Sequence, residues 1–414
     1  RLALLAAAIL LTSFMFFRHF RLAETDSLAA LFVTTAVWAL WRGARAPAGR
    51  AAVAWFHLAG LAIALTVLAK GPPAVFPILF FVAWVIVERN WTALGRFLVS
   101  GALLTAIVVG APWFACVMKS PQAHVLKDEL IVVTAGEEHR ASFLQYFPQL
   151  LLATAPWTGV FVLGLVWSIA HWRSQPAMRA VLIWGGAILL PLFFAGNKQN
   201  HYLVPLTPAL AMLGAYAVHV GLGEDPARRR ALAWVMGATL ACSILAPLGV
   251  WWAARHQRGF LQTLDLAMIV VVLTGALGAA SLLKRQGLAA GTFAYAAAVA
   301  LAFAVMFARW IPSLDRVNHR TIAADLRDSY GDGPYVFYAK DPSYPLVWNL
   351  RSIVPLARTQ PELVRLLARN PDTAVIAQTK NRIDPPPVPA SLEEQERFHV
   401  GSEGMAFRIY AIPR

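Results

Sequence analysis

A succession of apolar runs constrains this chain more than any other feature. About eleven of them approach the roughly 17–25 residues a helix needs to cross a bilayer. They lie near 2–17, 27–41, 52–69, 73–88, 97–118, 148–170, 180–195, 203–220, 231–253, 264–283 and 288–309. Lipid offers no partners to a backbone, so runs of this length are helices. A barrel would instead show alternating segments of about ten residues, and that alternation is absent. Only 14% of residues are charged and 58% are hydrophobic, with a mean hydropathy of +0.57. A water-soluble domain carries roughly a quarter charged residues, so a single globular core is excluded. The fold class expected is an all-α polytopic membrane protein.

Charge divides the chain unevenly. Residues 1–310 hold 23 Lys and Arg against 10 Asp and Glu, whereas residues 311–414 hold 13 against 12. The basic excess belongs to the membrane part, where positive loops on the cytoplasmic side and a site for an anionic lipid or phosphate both account for it. WRGARAPAGR (41–50), ERNWTALGR (88–96), HWRSQPAMR (171–179), GEDPARRR (223–230) and KRQG (284–287) are short and basic, and read as cytoplasmic. The alternating set is RHFRLAETD (18–26), KGPP (70–73), residues 119–147, GNKQNHY (196–202) and ARHQRGFLQTLD (254–265). It mixes bases with acids, histidines and aromatics, and reads as the outer side.

The expected domains are 1–310, transmembrane, and 311–414, a small soluble α/β domain outside the cytoplasm. In the latter, TIAADLRDSY and PELVRLLARN have helical spacing, and PYVFYA, RSIVPLA, TAVIAQ and MAFRIYAI read as strands. Cys116 and Cys242 sit in apolar runs and read as buried small hydrophobes, not a disulfide or a metal site. The chain opens at Arg1 inside an apolar run with no cleavage site after it, so further sequence is expected upstream and a signal peptide is not.

Ionisable groups at the outer boundary are costly to bury and therefore point to partners or function. Asp26 starts a span, where it serves as a dipole-stabilised acid behind a capping Thr25 or as a base or sugar-hydroxyl acceptor. Lys70 precedes a tight Gly71-Pro72-Pro73 turn that pins its ammonium at the boundary. Gly136-Glu137-Glu138-His139-Arg140 concentrates charge; Arg140 suits bidentate phosphate contact. His124, Glu129 and His139 are metal-ligand types, but their spacing matches no standard zinc signature. The cofactor is therefore unassigned, with a divalent metal as one candidate. Lys198, His201 and Tyr202 lie together in the 196–202 loop. Pro112-Trp113 and Pro156-Trp157 read as interfacial anchors at helix kinks.

Taken in order, ETDSLAALF, LAKGPPAVFP, Pro112-Trp113-Phe114, GEEHRASFLQYFP, PW and NKQNHYLVPLTPAL resemble the polyprenyl-phosphate-dependent glycosyltransferases of the GT-C superfamily. The branch resembled is the aminoarabinose transferase of lipid A, and more distantly the protein O-mannosyltransferases. The match covers roughly residues 1–220. It implies a GT-C membrane fold in the bacterial inner membrane, a periplasmic active face and C-terminal domain, an undecaprenyl-phosphate-sugar donor, and a periplasmic acceptor such as lipid A, another envelope glycan or a protein. No nucleic acid is implied. Asp26 matches the family's second acidic position and becomes the catalytic candidate, while the main catalytic aspartate is expected upstream of Arg1. Lys70, Glu138, His139, Arg140, Lys198, His201 and Tyr202 become candidate substrate-binding residues. The family branch carries a Glu-His pair where this chain has Glu129-Leu130, so its metal site does not carry over. Two other classes remain open: a transporter or flippase for a lipid-linked sugar, which would want ionisable groups at mid-membrane, and an O-antigen-type ligase.

Overall fold

The computed structural model describes residues 2–21, 24–119, 143–195, 198–254, 287–305, 319–339, 342–380, 387–400 and 405–412. It divides into two compact units, Arg1–Ala304 and Val305–Arg414.

The first unit is helical. Its elements are α1 (Leu2–Leu11), α2 (Phe14–Phe20), α3 (Thr25–Arg45), α4 (Arg50–Lys70), α5 (Val75–Glu88), α6 (Trp91–Val99), α7 (Ala102–Met118), α8 (Tyr146–Ala153), α9 (Thr158–Ala170), α10 (Pro176–Phe194), α11 (Thr207–Gly221), α12 (Pro226–Ala254) and α13 (Leu288–Val305). Every apolar run singled out in the sequence meets a helix here except 264–283, which lies outside the described residues. Among the described residues, four helices are long and apolar enough to cross a membrane, or up to seven if each bent pair is one span.

Small residues let these helices approach closely, as membrane packing favours. A side chain at Gly60 would collide with the backbone of Ala102 in α7, and one at Gly164 with the backbone of Leu213 in α11. α3 and α4 form an antiparallel hairpin whose interface includes Ala36, Val33, Leu40, Phe56, Ala59 and Ile63, all buried.

Three of the runs are bent, α6 against α7 by 51° and two others more sharply. α1 and α2 meet at 68°, and α8 and α9 at 109°. These two breaks serve each other: the Phe14 N–H donates to the Ala155 carbonyl at 2.8 Å, and the Trp157 indole N–H donates to Thr12 Oγ1 at 2.8 Å. Non-helical backbone is tolerated in such a region because protein supplies the missing partners. Trp157 is 1% exposed, with its ring edge-on to Tyr295. It is a core residue, not the interfacial anchor expected. Its N–H has found a buried hydroxyl.

The second unit is a five-stranded sheet with helices on both faces. It runs α14 (His319–Tyr330), β1 (Tyr335–Tyr338), α15 (Tyr344–Leu350), β2 (Leu356–Ala357), α16 (Gln360–Arg369), β3 (Ala374–Lys380), β4 (Glu393–Val400) and β5 (Met405–Ala411). Strand order is β2-β1-β3-β5-β4, with β1 parallel to β2 and β3, and β5 antiparallel to β3 and β4. Register pairs Phe337 with Ile376, and Ile376 with Ile409. These residues face α14 and α15, while Val336 and Val375 face α16. That is the period-two alternation of a sheet covered on both sides. α16 begins with a capping box, Thr359 with Glu362, which fixes its start.

Two sequence expectations need correction here. Cys116 and Cys242 of the helical unit, expected to be buried, are both exposed, and the strand expected over residues 351–357 is shorter, with only Leu356–Ala357 of RSIVPLA in strand. YPLVWNL is a helix, and EEQERFHV is the edge strand β4. Charged residues on an edge strand discourage pairing with another chain, and the same charges leave β4 without the β-branched and aromatic run that marks the other strands.

Candidate active site

Helix ends decide where the candidate residues meet. α3 starts where its hairpin partner α4 ends, so Asp26 and Lys70 come together although 44 positions apart, and the Lys70 ammonium donates to Asp26 Oδ1. Gly71, at φ 77°, turns the chain out of α4 at once into the 3-10 turn Pro72–Ala74. Glycine is the residue that takes this conformation without strain. A second 3-10 segment, Asn200–Leu206, leads into α11 and presents His201 and Tyr202 at the same end. The Lys70 ammonium lies 5.4 Å from the centre of the Tyr202 ring, within cation–π range. The His201 ring stands edge-on to Tyr202 at 4.7 Å and 6.5 Å from the His19 ring.

These residues line a cavity of about 600 Å³. Asp26, Lys70, Gln199, His201 and Tyr202 supply its polar wall; Val67, Phe76, Trp113, Phe114, Leu192 and Pro205 supply much of the rest. Beside it, between α5 and α10, runs an apolar groove of about 510 Å³ lined by Leu79, Ala83, Ile183, Gly186, Ala187, Leu190, Pro191 and Phe194. Phe76 and Leu192, on the cavity wall, belong to the same two helices as the groove.

Asp26 is 8% exposed and its charge is met by Lys70. The expected Thr25 cap is not formed. Thr25 is the first residue of α3, Glu24 holds the cap position without a side-chain bond to the helix, and Glu24 instead meets His19 Nδ1 at 2.5 Å. His19 and Glu24 were not candidates. Both stood in the RHFRLAETD loop, and the five-residue spacing that joins them across the α2–α3 turn carries no helical signature.

Lys198 is placed differently from the expectation that it faces a phosphate. Its ammonium is buried and donates to the carbonyls of Leu192 at 3.4 Å, Phe193 at 3.0 Å and Ala195 at 2.5 Å. It lies 5.7 Å from the centre of the Tyr146 ring. The last carbonyls of a helix lack internal partners and carry its negative dipole end, so a nearby ammonium settles there. Lys198 thus closes α10, next to the segment bearing His201 and Tyr202. Glu138, His139 and Arg140 lie outside the described residues, as do His124 and Glu129. Among the described residues no group of three or more His, Cys, Asp or Glu side chains could hold a metal.

Fold and cavity define a multi-pass membrane protein whose ionisable groups gather at helix ends. Residues 1–119 match the family described as dolichyl-phosphate-mannose-protein mannosyltransferase. An undecaprenyl phosphate-alpha-4-amino-4-deoxy-L-arabinose arabinosyl transferase from Edwardsiella ictaluri is 30% identical over 297 residues, 67% of this chain and 53% of that protein. The enzyme of the same name from Pseudomonas paraeruginosa is 30% identical over 296 residues, 67% of this chain and 51% of that one. The chain spans about half the length of the curated relatives it matches. Two crystal structures of ArnT from Cupriavidus metallidurans share the fold over 100% of this chain and 80% of theirs. The apo form has a TM-score of 0.73 at 19% identity, and the form bound to undecaprenyl phosphate 0.71 at 18%. The resemblance of the chain is thus to polyprenyl-phosphate glycosyltransferases of the GT-C type, with aminoarabinose transferases and protein mannosyltransferases both among its relatives.

Proposed function

We propose that the full-length protein is an inner-membrane glycosyltransferase that moves a sugar from an undecaprenyl-phosphate donor to lipid A or another periplasmic acceptor. The observation that carries this reading is the cavity with a Lys70–Asp26 pair on its wall and an apolar groove beside it. A lipid-linked phosphosugar needs both: cations at the phosphate and an apolar path for the isoprenoid. In the reaction the acceptor oxygen, either an ionised phosphate oxygen or a hydroxyl that gives its proton to a carboxylate base, forms a bond to the anomeric carbon, and the bond from that carbon to the phosphate oxygen breaks. The electron pair leaves with the lipid phosphate. Charge therefore grows on the phosphate in the transition state, and a fixed cation there lowers the barrier.

Lys70 is the group of this chain suited to that role, assisted in this reading by Arg140. Asp26 holds the Lys70 ammonium in place or meets a sugar hydroxyl, and Tyr202 and His201 frame the phosphate. Glu138 and His139 keep their place as substrate-binding residues by resemblance. The outer, periplasmic position of the cavity and of the C-terminal domain, and a membrane part of about eleven spans, belong to the same reading. The relatives' names supply the donor and the arabinosyl group as the first to test.

The clustering of ionisable groups at helix ends favours an enzyme over a transporter, which would place them at mid-membrane. Purified full-length protein in lipid should transfer sugar from an undecaprenyl-phosphate sugar, and Lys70→Ala and Arg140→Ala should each depress the rate. Wild-type rates in both would overturn the phosphate role. Mass spectrometry of lipid A and envelope glycans from a deletion strain identifies sugar and acceptor.

A further inference from the structure

The second unit carries a surface that the cavity does not explain. α15, YPLVWNL, is apolar on nearly every side. Leu346 and Leu350 are buried against α14 and the sheet. Tyr344 and Trp348, one turn apart, are 78% and 83% exposed, and Ile353 just past the helix is 99% exposed. A helix apolar all round is normally covered all round, and large apolar side chains grouped on a surface mark a contact with a partner or a membrane.

The chemistry around this face selects the partner. Between Asp341 and Glu362 the sequence contains no acid, and its two charged residues are Arg351 and Arg358, both exposed. Tyrosine and tryptophan with neighbouring arginines form the composition of a membrane–water interface, and anionic headgroups attract such basic segments. Reach agrees. Only residues 306–318 separate α14 from the apolar helix α13. At ~3.5 Å per extended residue the link spans at most ~45 Å, so the unit is tethered within reach of a bilayer.

We propose that Tyr344, Trp348, Arg351 and Ile353 form a docking face for the anionic surface of the membrane in which the protein resides. The aromatic rings enter the headgroup layer and Arg351 meets lipid phosphate. The face is independent of the transfer activity, and its test does not require turnover.

The test uses the protein in lipid nanodiscs, in a background with Cys116 and Cys242 replaced by Ala. An environment-sensitive dye is placed at Ile353→Cys, or at Arg369→Cys on the exposed surface of α16 as a control. Discs contain phosphatidylethanolamine and phosphatidylglycerol, with and without doxyl-labelled lipid. The dye at 353 should be blue-shifted and quenched several-fold by doxyl lipid, while the dye at 369 is not. Adding Tyr344→Ser and Trp348→Ser should abolish most of the quenching; both side chains are exposed, so the fold survives. A dye at 353 that reports water overturns the proposal. So does a blue shift without doxyl quenching, which would mean that protein covers the face. Equal quenching at 353 and 369 also overturns it, and equal quenching in phosphatidylcholine alone overturns the anionic component.

Discussion

Where α5 stops and α10 begins, Arg179 grips both oxygens of Glu88, at 2.7 and 2.9 Å, and gives a third N–H to the Trp172 carbonyl at 2.9 Å. Nearby basic loops behave alike: Arg96 ties the Ala44 and Ala46 carbonyls at 2.7 and 2.9 Å, and Arg228 reaches His171 at 3.1 Å. At the opposite ends of these helices, Lys70 and Asp26 pair on the wall of an open cavity, with His201 and Tyr202 beside them. Both ends obey the same electrostatics, yet they differ in what surrounds the charge. At one end guanidinium groups are tied to fixed carboxylate and carbonyl acceptors and pin loops to helices. At the other an ammonium is held by a single carboxylate and an aromatic face, next to room for a ligand. The contrast separates charges that hold the fold from charges available for chemistry. Lys198 shows that location alone is a poor guide: it belongs to the cavity end by sequence, but caps a helix.

Substitutions at the two ends should therefore fail in different assays. The largest effect is expected for Asp26→Asn, which removes the partner of Lys70. Sugar transfer should fall by about two orders of magnitude or more, in line with the loss of a preorganised electrostatic group, while the protein still assembles. Retained transfer would erase the distinction between the two ends. Next, Arg179→Ala should leave the half-buried Glu88 without its partner and cost about 1–2 kcal/mol, as loss of a charged hydrogen-bonded pair does. Thermal unfolding in detergent reads this, and activity per folded molecule should stay near wild type.

A change of similar size is expected from Tyr202→Leu. It removes a cation–π contact worth ~1–2 kcal/mol when desolvated, so donor KM should rise about tenfold with kcat less affected. Smallest is Lys198→Met, which uncaps α10 and should cost about 1 kcal/mol in unfolding. It should leave donor binding within about twofold, well below the tenfold that 1.4 kcal/mol represents. A collapse of donor binding in Lys198→Met, with the fold intact, would restore Lys198 to the phosphate site.

Much of the helical unit was legible because hydrophobic runs in lipid leave the backbone a single solution. What the runs could not reveal was where they break. Thr12-Ser13 and Ala155-Pro156 look like ordinary punctuation until Trp157 and Phe14 connect them across 140-odd positions of sequence, and contacts of that separation leave no local pattern. The Asp26–Lys70 pairing was half legible: each residue ended a span, and the KGPP turn fixed one of them. Their contact needed the α3–α4 hairpin. His19 and Glu24 went unread because their link crosses a turn. In the second unit, β1, β3 and β5 announced themselves through β-branched and aromatic residues, whereas β4 is charged and α15 is largely apolar. At Lys198 a helix C-terminus competes with a phosphate for the same cation; the structure places the ammonium on the carbonyls of α10, and the sequence does not say which is nearer.

The most direct test of the two-ended account is binding of undecaprenyl phosphate to the full-length protein in nanodiscs, comparing wild type, Lys70→Gln and Arg179→Gln. The account predicts that Lys70→Gln weakens binding at least about tenfold, roughly 1.4 kcal/mol, and that folded Arg179→Gln binds as wild type does. Equal affinities for wild type and Lys70→Gln, or an equal loss in both variants, would contradict it.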